Sequence, residues 1–461
     1  MTVKFGTPKG RWVIAGTALG SGVAFLDGTV VNIALPAIAD DFHTSLAGLQ
    51  WTVNAYLVML SALLLLGGSL GDHYGRRRMY VVGLVGFTGA SLLCGVAPNT
   101  AFLIGARALQ GVGAALLVPG SLSIIAASFD HRDRGAAIGA WSGLAGVSTA
   151  LGPFLGGWLI EAASWRLIFL INGPLAGAAI AIALRHIPES HAHKKRPLDI
   201  PGALVVTVAL AALSYAAIDH AGTDSVTAGV VGAAAFALFL AIEQRTPFPM
   251  MPLGLFRNRQ FAGGNLVTLA VYAALSGSLF LVTLQLQRTL GYSPLRAGAA
   301  TVPFTVFMLT LSSTAGRVAQ RIGPRLPMTI GPLFVAGGLF LFSAVDRGST
   351  YIGTVFPAVA CMGFGMAITV APLTAAVLAD IDDEFTGIAS GINNAVSRFA
   401  GLLAVAALPA LAGINAGASL EEGLRQGYSR AMVISAFVCL AGAGIAFATI
   451  RSVASGGKTG A

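Results

Sequence analysis

Two long apolar runs are joined by Gly68-Ser-Leu-Gly-Asp72-His-Tyr-Gly75-Arg76-Arg77-Arg78, a short segment with one acid and three arginines. We call this segment, residues 68–78, the charged connection. A weaker copy joins two later apolar runs and reads Gly316-Arg-Val-Ala-Gln320-Arg-Ile-Gly323-Pro-Arg325. The two copies predict two similar halves that move against each other, an arrangement typical of secondary transporters.

The composition indicates a membrane protein, since 55% of the residues are hydrophobic and only 10% are charged. Apolar runs of about 20 residues recur along the chain, and each is long enough to cross about 30 Å of hydrocarbon. We predict an all-α membrane protein with fourteen transmembrane helices. The predicted spans lie at about 12–35, 48–70, 79–97, 101–129, 135–160, 167–187, 198–218, 226–243, 260–287, 296–319, 325–345, 351–379, 386–412 and 428–450. A loop near 413–427 is the one connection predicted to be long enough for a small external element.

Basic residues are distributed unevenly between the two ends of these spans. With the N-terminus in the cytoplasm, most Lys and Arg residues lie on the cytoplasmic side, including Arg76–Arg78 and Lys194–Arg196. This is the positive-inside bias of a multi-pass protein, so we expect a cell inner (plasma) membrane location with both termini cytoplasmic. The net charge of +9 therefore does not predict nucleic-acid binding, because no soluble basic face is available.

A constant offset between matching residues supports two related halves. A chance match between glycine-rich helices is the alternative, but several pairs at nearly one offset favour a repeat. The pairs are Gly111 with Gly363, Gly113 with Gly365, Pro119 with Pro372, Gly135 with Gly387 and Gly139 with Gly391. Six spans take up fewer residues than the 252 that separate Gly111 from Gly363, and two further spans fill the difference. We therefore predict a six-helix bundle at 1–190, two inserted transmembrane helices at 191–250 and a second six-helix bundle at 251–461.

Asp27 and Arg107 are charged residues inside predicted spans of the first half. A carboxylate near the bilayer centre costs about 2.5–3.5 kcal/mol on insertion scales, so it normally faces a cavity and has a function. Asp27 is therefore a candidate for taking up and releasing a proton. Arg107 keeps its proton but could tune a nearby carboxylate. A permanent structural ion pair is the alternative, and Arg398 of the second half could equally extend toward a polar surface.

Asp72 in the charged connection is placed to meet either a helix N-terminus or the arginines that follow it. A carboxylate at a helix N-terminus contributes about 0.3–1 kcal/mol, which can bias two conformations without locking one of them. Asp72 is therefore a candidate latch between two conformations of the protein.

Small residues recur at spacings of four in the fifth span, Ser148-Thr-Ala-Leu-Gly152-Pro153-Phe-Leu-Gly156-Gly157. Such spacing lets two helix backbones approach closely, and Pro153 removes a backbone donor and bends its helix. The pattern predicts a close helix contact in the fifth span.

No sequence motif predicts an enzyme. The chain has no His-Glu-x-x-His and no complete phosphate loop. Its histidines have no second ligand at metal spacing, so we predict no metal, no cofactor and no catalytic residue. Without an ATP site, transport would have to be driven by an ion gradient.

The charged connection resembles motif A of the major facilitator superfamily, and the resemblance covers essentially the whole chain. Leu103–Gly111 resembles motif B, and Ser148–Gly157 resembles motif C, which marks antiporters. Leu26–Pro36 is similar to the first-helix motif of the fourteen-helix drug:proton antiporter family. The chain departs from the family pattern at Ser148, where motif C usually has glycine, and at the second copy of the connection, which lacks the acid.

The resemblance implies the major facilitator fold, with two inserted helices, and a proton-coupled multidrug efflux transporter that works by alternating access. It implies proton coupling for Asp27 and Arg107 and a helix bend at Gly152 and Pro153. It also implies a gate on the cytoplasmic side at the charged connection, formed by Gly68, Asp72, Gly75, Arg76 and Arg77. The expected partners are a small hydrophobic or amphipathic substrate, protons and the lipid bilayer, with a monomeric protein. Polar residues that are candidates for substrate binding are Asn32, Asn54, Tyr56, Gln110, Gln285, Asn393, Asn394 and Arg398.

Two other functions stay open from the sequence. An exporter or flippase of a lipid, or of another endogenous amphiphile, would have the same fold with a lateral opening to the bilayer. A non-transporting receptor or scaffold is the third possibility, and Asp27, Arg107 and the charged connection argue against it.

Overall fold

The structure is a computed structural model that describes residues 3–191, 197–219, 223–382, 385–414 and 420–452. Within these residues, 14 helices are long and apolar enough to cross a membrane, so the predicted all-α membrane fold is confirmed. The helices are α1 (Pro8–Phe42), α2 (Leu46–Tyr74), α3 (Arg76–Gly95), α4 (Thr100–Ser128), α5 (Arg132–Ala162), α6 (Leu167–His186), α7 (Ile200–Ile218), α8 (Thr223–Arg245), α9 (Arg259–Arg288), α10 (Pro294–Ile322), α11 (Arg325–Ser343), α12 (Tyr351–Leu378), α13 (Thr386–Leu411) and α14 (Leu420–Thr449). The basic run at 194–196 lies outside the described residues.

Polar side chains fix where several of these helices begin. Thr7, Ser45 and Asn99 precede α1, α2 and α4, and the side-chain oxygen of each accepts a backbone N–H of the first turn. Asn258 does the same for α9. Each of these caps satisfies a donor that has no partner within its helix, and a cap of this kind typically contributes about 1 kcal/mol.

The chain divides into two compact units. The first comprises Met1–Met250 together with Ser293–Gly298 and contains α1 to α8. Within it, α1 packs against α4, α5 and α6, and this packing forms the surroundings of Asp27. Helices α7 and α8 pack against each other, and α7 also packs against α2. The second unit comprises Met251–Tyr292 together with Ala299–Ala461.

Equivalent glycines make equivalent helix contacts in the two units. In the first unit, a Cβ added at Gly111 of α4 would lie 2.5 Å from the carbonyl oxygen of Tyr56 on α2. In the second unit, a Cβ added at Gly363 of α12 would lie 2.7 Å from the Cα of Phe304 on α10. Glycine therefore permits the same close approach of backbones at both matched positions. The offset seen in the sequence corresponds to a structural repeat at this point.

The two cationic connections also share a backbone feature. Gly75 has φ +110° between α2 and α3, and Gly323 has φ +86° between α10 and α11. Residues with a side chain rarely adopt these values, so glycine is needed at both turns. The copies are therefore similar in backbone as well as in sequence.

The predicted loop near 413–427 is wrong over its second part, because α14 already begins at Leu420. Glu421 and Glu422 lie in the first turn, where carboxylates are favourable for the helix dipole. Arg425 forms an ion pair with Glu422 at 2.9 Å, three residues earlier on the same helix. These local interactions extend the helix beyond its apolar part, and residues 415–419 lie outside the described residues.

Candidate functional site

Asp27 lies at the centre of a buried hydrogen-bonded cluster in the first unit. Arg107 Nη1 lies 2.5 Å from Asp27 Oδ2, and Gln110 Nε2 lies 2.8 Å from Asp27 Oδ1. Asn172 Nδ2 is a third donor, 3.3 Å from Asp27 Oδ1. An ionised carboxylate can only accept hydrogen bonds, so this arrangement of donors matches the charged form of Asp27.

Arg107 is held on several sides. Its Nε donates to the carbonyl oxygen of Thr52 at 3.1 Å, and its Nη1 donates to Gln110 Oε1 at 2.6 Å. The guanidinium carbon lies 4.4 Å from the ring centroid of Tyr56 and 5.8 Å from that of Phe169. An aromatic face attracts a desolvated cation. Arg107 therefore has stabilising contacts in addition to its ion pair with Asp27.

Ser91 and Asn172 complete the cluster, and sequence reasoning missed both. Ser91 Oγ accepts from Asn172 Nδ2 at 2.9 Å and from Gln110 Nε2 at 3.2 Å. Ser91 Oγ also donates to the carbonyl oxygen of Phe169 at 2.9 Å. Asn172 Oδ1, in contrast, is buried and has no hydrogen-bond partner among the described residues.

Helix α6 is irregular where it presents Asn172. Its helical hydrogen bonding is interrupted at Ile171, and Pro174, two residues after Asn172, cannot donate a backbone hydrogen bond. An amide followed by a Gly-Pro pair inside an apolar span is the sequence signal that could have identified this position. No comparable signal identifies Ser91, because single serines are common in membrane helices.

Burial determines what the ion pair can do. The side chains of Asp27 and Arg107 are 0% and 1% exposed. Two charges withdrawn from water lose their hydration, and their mutual attraction offsets this loss only when further hydrogen bonds satisfy them. Removing one partner of such a pair costs about 3–5 kcal/mol, because the other charge stays buried. A change in the charge of Asp27 must therefore change the stability of the arrangement around Arg107.

The small residues of α5 lie against α1 within one turn of Asp27. A Cβ added at Gly152 would lie 2.1 Å from Thr29 Oγ1, and one added at Gly156 would lie 2.9 Å from Val30 Cγ2. The predicted close helix contact is therefore made with the helix that carries Asp27. A larger side chain at either glycine would push the two backbones apart.

Ser148 also lies against α1, since a Cβ added at Gly22 would lie 2.6 Å from Ser148 Oγ. This Oγ bonds to the Leu144 carbonyl oxygen of its own helix at 3.3 Å. Gly157 and Pro153 have other neighbours. A Cβ added at Gly157 would lie 2.5 Å from the carbonyl oxygen of Pro294, and the Pro153 carbonyl oxygen lies close to Gly298. Residues 293–298 belong to the same unit as α5.

In the charged connection, Asp72 bonds to Arg76, with Arg76 Nη2 2.7 Å and Arg76 Nε 2.9 Å from Asp72 Oδ1. We predicted either a helix N-terminus or a following arginine as the partner of Asp72, and the structure pairs it with the arginine. The N-terminus of α3 is instead capped by Glu189, a residue that the sequence analysis did not single out. Glu189 accepts the backbone N–H groups of Arg77 and Arg78 at 3.0 and 3.1 Å, and Arg77 Nε lies 3.7 Å from it.

Two glycines give the connection its shape. A Cβ added at Gly75 would lie 3.0 Å from Glu189 Cδ, so the positive φ of Gly75 also leaves room for the capping carboxylate. Gly68 lies on α2, where an added Cβ would be 3.5 Å from Pro119 Cβ. The turn at Gly75 is therefore the more constrained of the two positions.

The remaining polar candidates of the first unit have no hydrogen bond to the cluster. Asn54 on α2 is fully buried, and neither atom of its amide has a hydrogen-bond partner among the described residues. Asn32 is half-buried on α1, five residues after Asp27. Tyr56 and Gln110, in contrast, contact Arg107 directly.

Candidates in the second unit make local contacts. Asn393 Nδ2 bonds to Asn265 Oδ1 at 3.2 Å and to Thr268 Oγ1 at 2.8 Å. Asn394 bonds to the Ser390 carbonyl oxygen one turn earlier, and Gln285 Nε2 bonds to the Val345 carbonyl oxygen. Arg398 is half-buried on α13. Among the residues that the structure describes, no three His, Cys, Asp or Glu side chains are grouped so that they could hold a metal ion.

The ion pair predicts a specific pattern of stabilities. Asp27→Asn and Arg107→Met should each lower the thermal stability of the detergent-purified protein, because each leaves one buried charge without its partner. The double variant should recover much of the loss. Its change in the free energy of unfolding should therefore differ from the sum of the two single changes by more than about 1 kcal/mol. Thermal unfolding of the four proteins measures this difference. Additive effects would mean that the two side chains are not coupled.

Glu189 and Asp72 should differ in their effects on stability. Glu189→Ala removes the cap of α3 and should destabilise by about 1 kcal/mol. Asp72→Ala removes an ion pair whose carboxylate is 42% exposed, so its effect should stay below about 0.5 kcal/mol. Thermal unfolding in detergent compares the two variants, and a larger loss for Asp72→Ala would contradict the assignment of the cap.

Comparison with known proteins agrees with this fold and sequence pattern. The family model of the Major Facilitator Superfamily matches residues 17–405. The chain is 34% identical over 416 residues to the multidrug resistance protein Stp of Mycobacterium tuberculosis, covering 89% of this chain and 77% of that protein. It is 33% identical over 411 residues to the tetracenomycin C resistance and export protein of Streptomyces glaucescens, covering 87% and 76%.

Solved structures show the same fold at low sequence identity. A bacterial homolog of the human lysosomal transporter Spinster, in an inward-facing and occupied conformation, matches with a TM-score of 0.68 at 15% identity, covering 97% of this chain and 98% of that chain. The human organic anion transporter MFSD10 matches with a TM-score of 0.64 at 17% identity, covering 95% and 100%. Together with the family match, these similarities confirm the predicted resemblance. The chain is a multi-pass membrane protein of the Major Facilitator Superfamily, a family of transporters rather than enzymes, and is related to its fourteen-helix drug-efflux proteins.

Proposed function

We propose that this protein exports hydrophobic, cationic or amphipathic drugs and natural products across the cytoplasmic membrane in exchange for protons. The observation that carries the proposal is the buried Asp27–Arg107 pair with its three donors on Asp27. A carboxylate in the membrane interior is costly and normally functional. The names of related proteins, which refer to multidrug resistance and antibiotic export, support the substrate class.

Proton binding at Asp27 would change the balance of forces around Arg107. In the ionised form, Asp27 and Arg107 attract each other across α1 and α4. In the protonated form this attraction weakens, and Arg107 keeps its contacts with Gln110, the Thr52 carbonyl oxygen and the Tyr56 ring. One proton thereby alters which arrangement of α1 relative to α4 is more stable. This difference couples protonation to alternating access.

The charged connection acts as a gate on the cytoplasmic side in this proposal. Its orientation rests on the positive-inside bias, which places both termini in the cytoplasm. Asp72 and Arg76 join the end of α2 to the start of α3, and Glu189 holds the N-terminus of α3 to the segment after α6. These exposed contacts are weak enough to be exchanged during a transport cycle. The protein acts as a monomer in the bilayer.

Export of a lipid or another endogenous amphiphile is the second candidate function. The second unit has an apolar groove of about 250 Å³ along α10, α11 and α12. Leu311, Val318, Leu326, Ile330 and Phe364 are among the residues that line it. An acyl chain would fit its chemistry as well as an aromatic drug would. A vesicle uptake screen that includes fluorescent phospholipids beside cationic dyes and antibiotics distinguishes the two substrate classes.

Asp27→Asn should abolish proton-driven transport while the protein remains folded and inserted. The measurement is uptake into inverted vesicles under an imposed pH gradient, with the best-transported cationic dye of the screen. Asp41→Asn is the matched control, because Asp41 lies on the same helix but is 42% exposed and bonded to Arg166. It should transport at a rate close to that of the wild type. Gradient-driven uptake by Asp27→Asn at the wild-type rate would contradict the coupling role.

The energy source predicts how ionophores act on export of a monovalent cation. One proton exchanged for one such cation moves no net charge, so the membrane potential of about 2.3 kcal/mol per 100 mV does not contribute. The pH difference alone drives transport, with about 1.4 kcal/mol for each tenfold proton ratio. Export should therefore survive valinomycin with potassium and fail with nigericin. Export that needs ATP and persists without both gradients would exclude a proton antiporter.

A further inference from the structure

Asn172 Oδ1 is a buried acceptor with no hydrogen-bond partner among the described residues. The same amide uses its Nδ2 twice, toward Ser91 Oγ at 2.9 Å and toward Asp27 Oδ1 at 3.3 Å. A buried polar atom without a partner is costly and calls for an explanation. The hydrogen bonds of the Asn172 amide are therefore incomplete when Asp27 is ionised. This suggests that the amide also has a role in the protonated state of Asp27.

A protonated Asp27 has a requirement that the ionised form lacks. Its new O–H is a donor and needs an acceptor in a site without water contact. Gln110 Oε1 already accepts from Arg107 Nη1 at 2.6 Å and from the Cys94 thiol at 3.7 Å. Asn172 Oδ1 is the side-chain oxygen of this cluster that accepts nothing. Rotation of the amide about its last bond exchanges Nδ2 and Oδ1 and presents this oxygen to Asp27.

Ser91 can adapt to that rotation, which moves Nδ2 to the side of the amide that Oδ1 now occupies. The Ser91 hydroxyl, which donates to the Phe169 carbonyl oxygen, can turn to donate to the rotated Asn172 Oδ1. Ser91 Oγ continues to accept from Gln110 Nε2 at 3.2 Å. The hydrogen-bond direction between Ser91, Asn172 and Asp27 is then reversed. Each direction matches one charge state of Asp27.

The groups that face Asp27 come from every neighbouring helix. Arg107 of α4 is the direct ionic partner, and Tyr56 of α2 lies against the guanidinium. Cys94 of α3 bonds to Gln110, the second donor to Asp27. Helix α5 contributes Gly152 and its neighbours, and α6 contributes Asn172 and Phe169. Asn172 is thus a neighbour that can change from donor to acceptor by a local rotation, accompanied by reorientation of the Ser91 hydroxyl.

We infer that Asn172 is a positioning residue that stabilises the protonated state of Asp27: its amide rotates when the carboxyl group binds a proton and accepts the new O–H through Oδ1. The inference rests on the proposed proton coupling at Asp27. In the ionised state the amide supplies the longest of three hydrogen bonds, so its larger contribution is to the protonated state.

The test is an infrared titration of the full-length protein in lipid nanodiscs. The band of the protonated Asp27 carboxyl group is identified by its absence in Asp27→Asn. Asn172→Leu removes the acceptor of the protonated form, and the ionised form keeps Arg107 and Gln110. Proton binding should weaken by about tenfold, as expected for one buried donor without an acceptor, so the midpoint should fall by about one pH unit. Asn172→Ala, a smaller change, should shift the midpoint in the same direction.

Gln110→Leu is the matched amide variant and should shift the midpoint the other way. Gln110 donates to Asp27 at 2.8 Å, so its loss disfavours the ionised form and raises the midpoint. An unchanged or higher midpoint in Asn172→Leu and Asn172→Ala, with the Asp27 band intact, would overturn this inference and leave the proposed function standing. A wild-type protein without any band that Asp27→Asn removes would overturn both.

Discussion

A carboxylate and a guanidinium stay charged inside a bundle of membrane helices only where protein groups replace the water that they have lost. In this protein, Asp27 and Arg107 meet that condition through side chains of α4 and α6 and a backbone carbonyl of α2. Ser91 of α3 bonds in turn to these side chains of α4 and α6. The close contact of α5 with α1 at Gly152 holds Asp27 in reach of these groups. Helices α1 to α6 therefore all contribute residues to the surroundings of this ion pair.

The cluster and the charged connection are carried by the same helices. Helix α2 supplies Thr52 and Tyr56 to Arg107 and ends beside Asp72. Helix α3 begins at the Glu189 cap and carries Ser91 to the cluster. Helix α6 carries Asn172, and Glu189 follows its end after three residues. A movement of α2, α3 or α6 at the ion pair would therefore also displace the charged connection, because these helices run from the ion pair to the connection.

Part of this architecture was predictable from the sequence, because it depends on patterns within one helix. Hydropathy predicted the fourteen spans, and Asp27 and Arg107 were noticeable as charges inside apolar runs. The partners of these charges were harder to predict. Asn172 bonds to Asp27, and Ser91 bonds to Asn172, from helices far apart in sequence, and neither residue has a charge that marks it as functional.

The role of Glu189 at the charged connection was hard to predict for the same reason. Sequence reasoning assigned the acid of this region to Asp72, the nearest carboxylate, and left its partner open. The cap of α3 comes instead from a residue beyond α6, which local patterns cannot connect to Arg77. The start of α14 at Leu420 was missed for another reason, because charged residues there hid a helix that ion pairs and dipole interactions stabilise.

Proton release on substrate binding is the most direct test of the central claim that one buried carboxyl group links protons to substrate. The purified protein in weakly buffered detergent solution at a pH where Asp27 is partly protonated would receive a saturating concentration of the transported dye, and a pH indicator would count the protons released. The account predicts release by the wild type and by Asp41→Asn, and none by Asp27→Asn with the dye still bound. Equal release by Asp27→Asn and the wild type would contradict it.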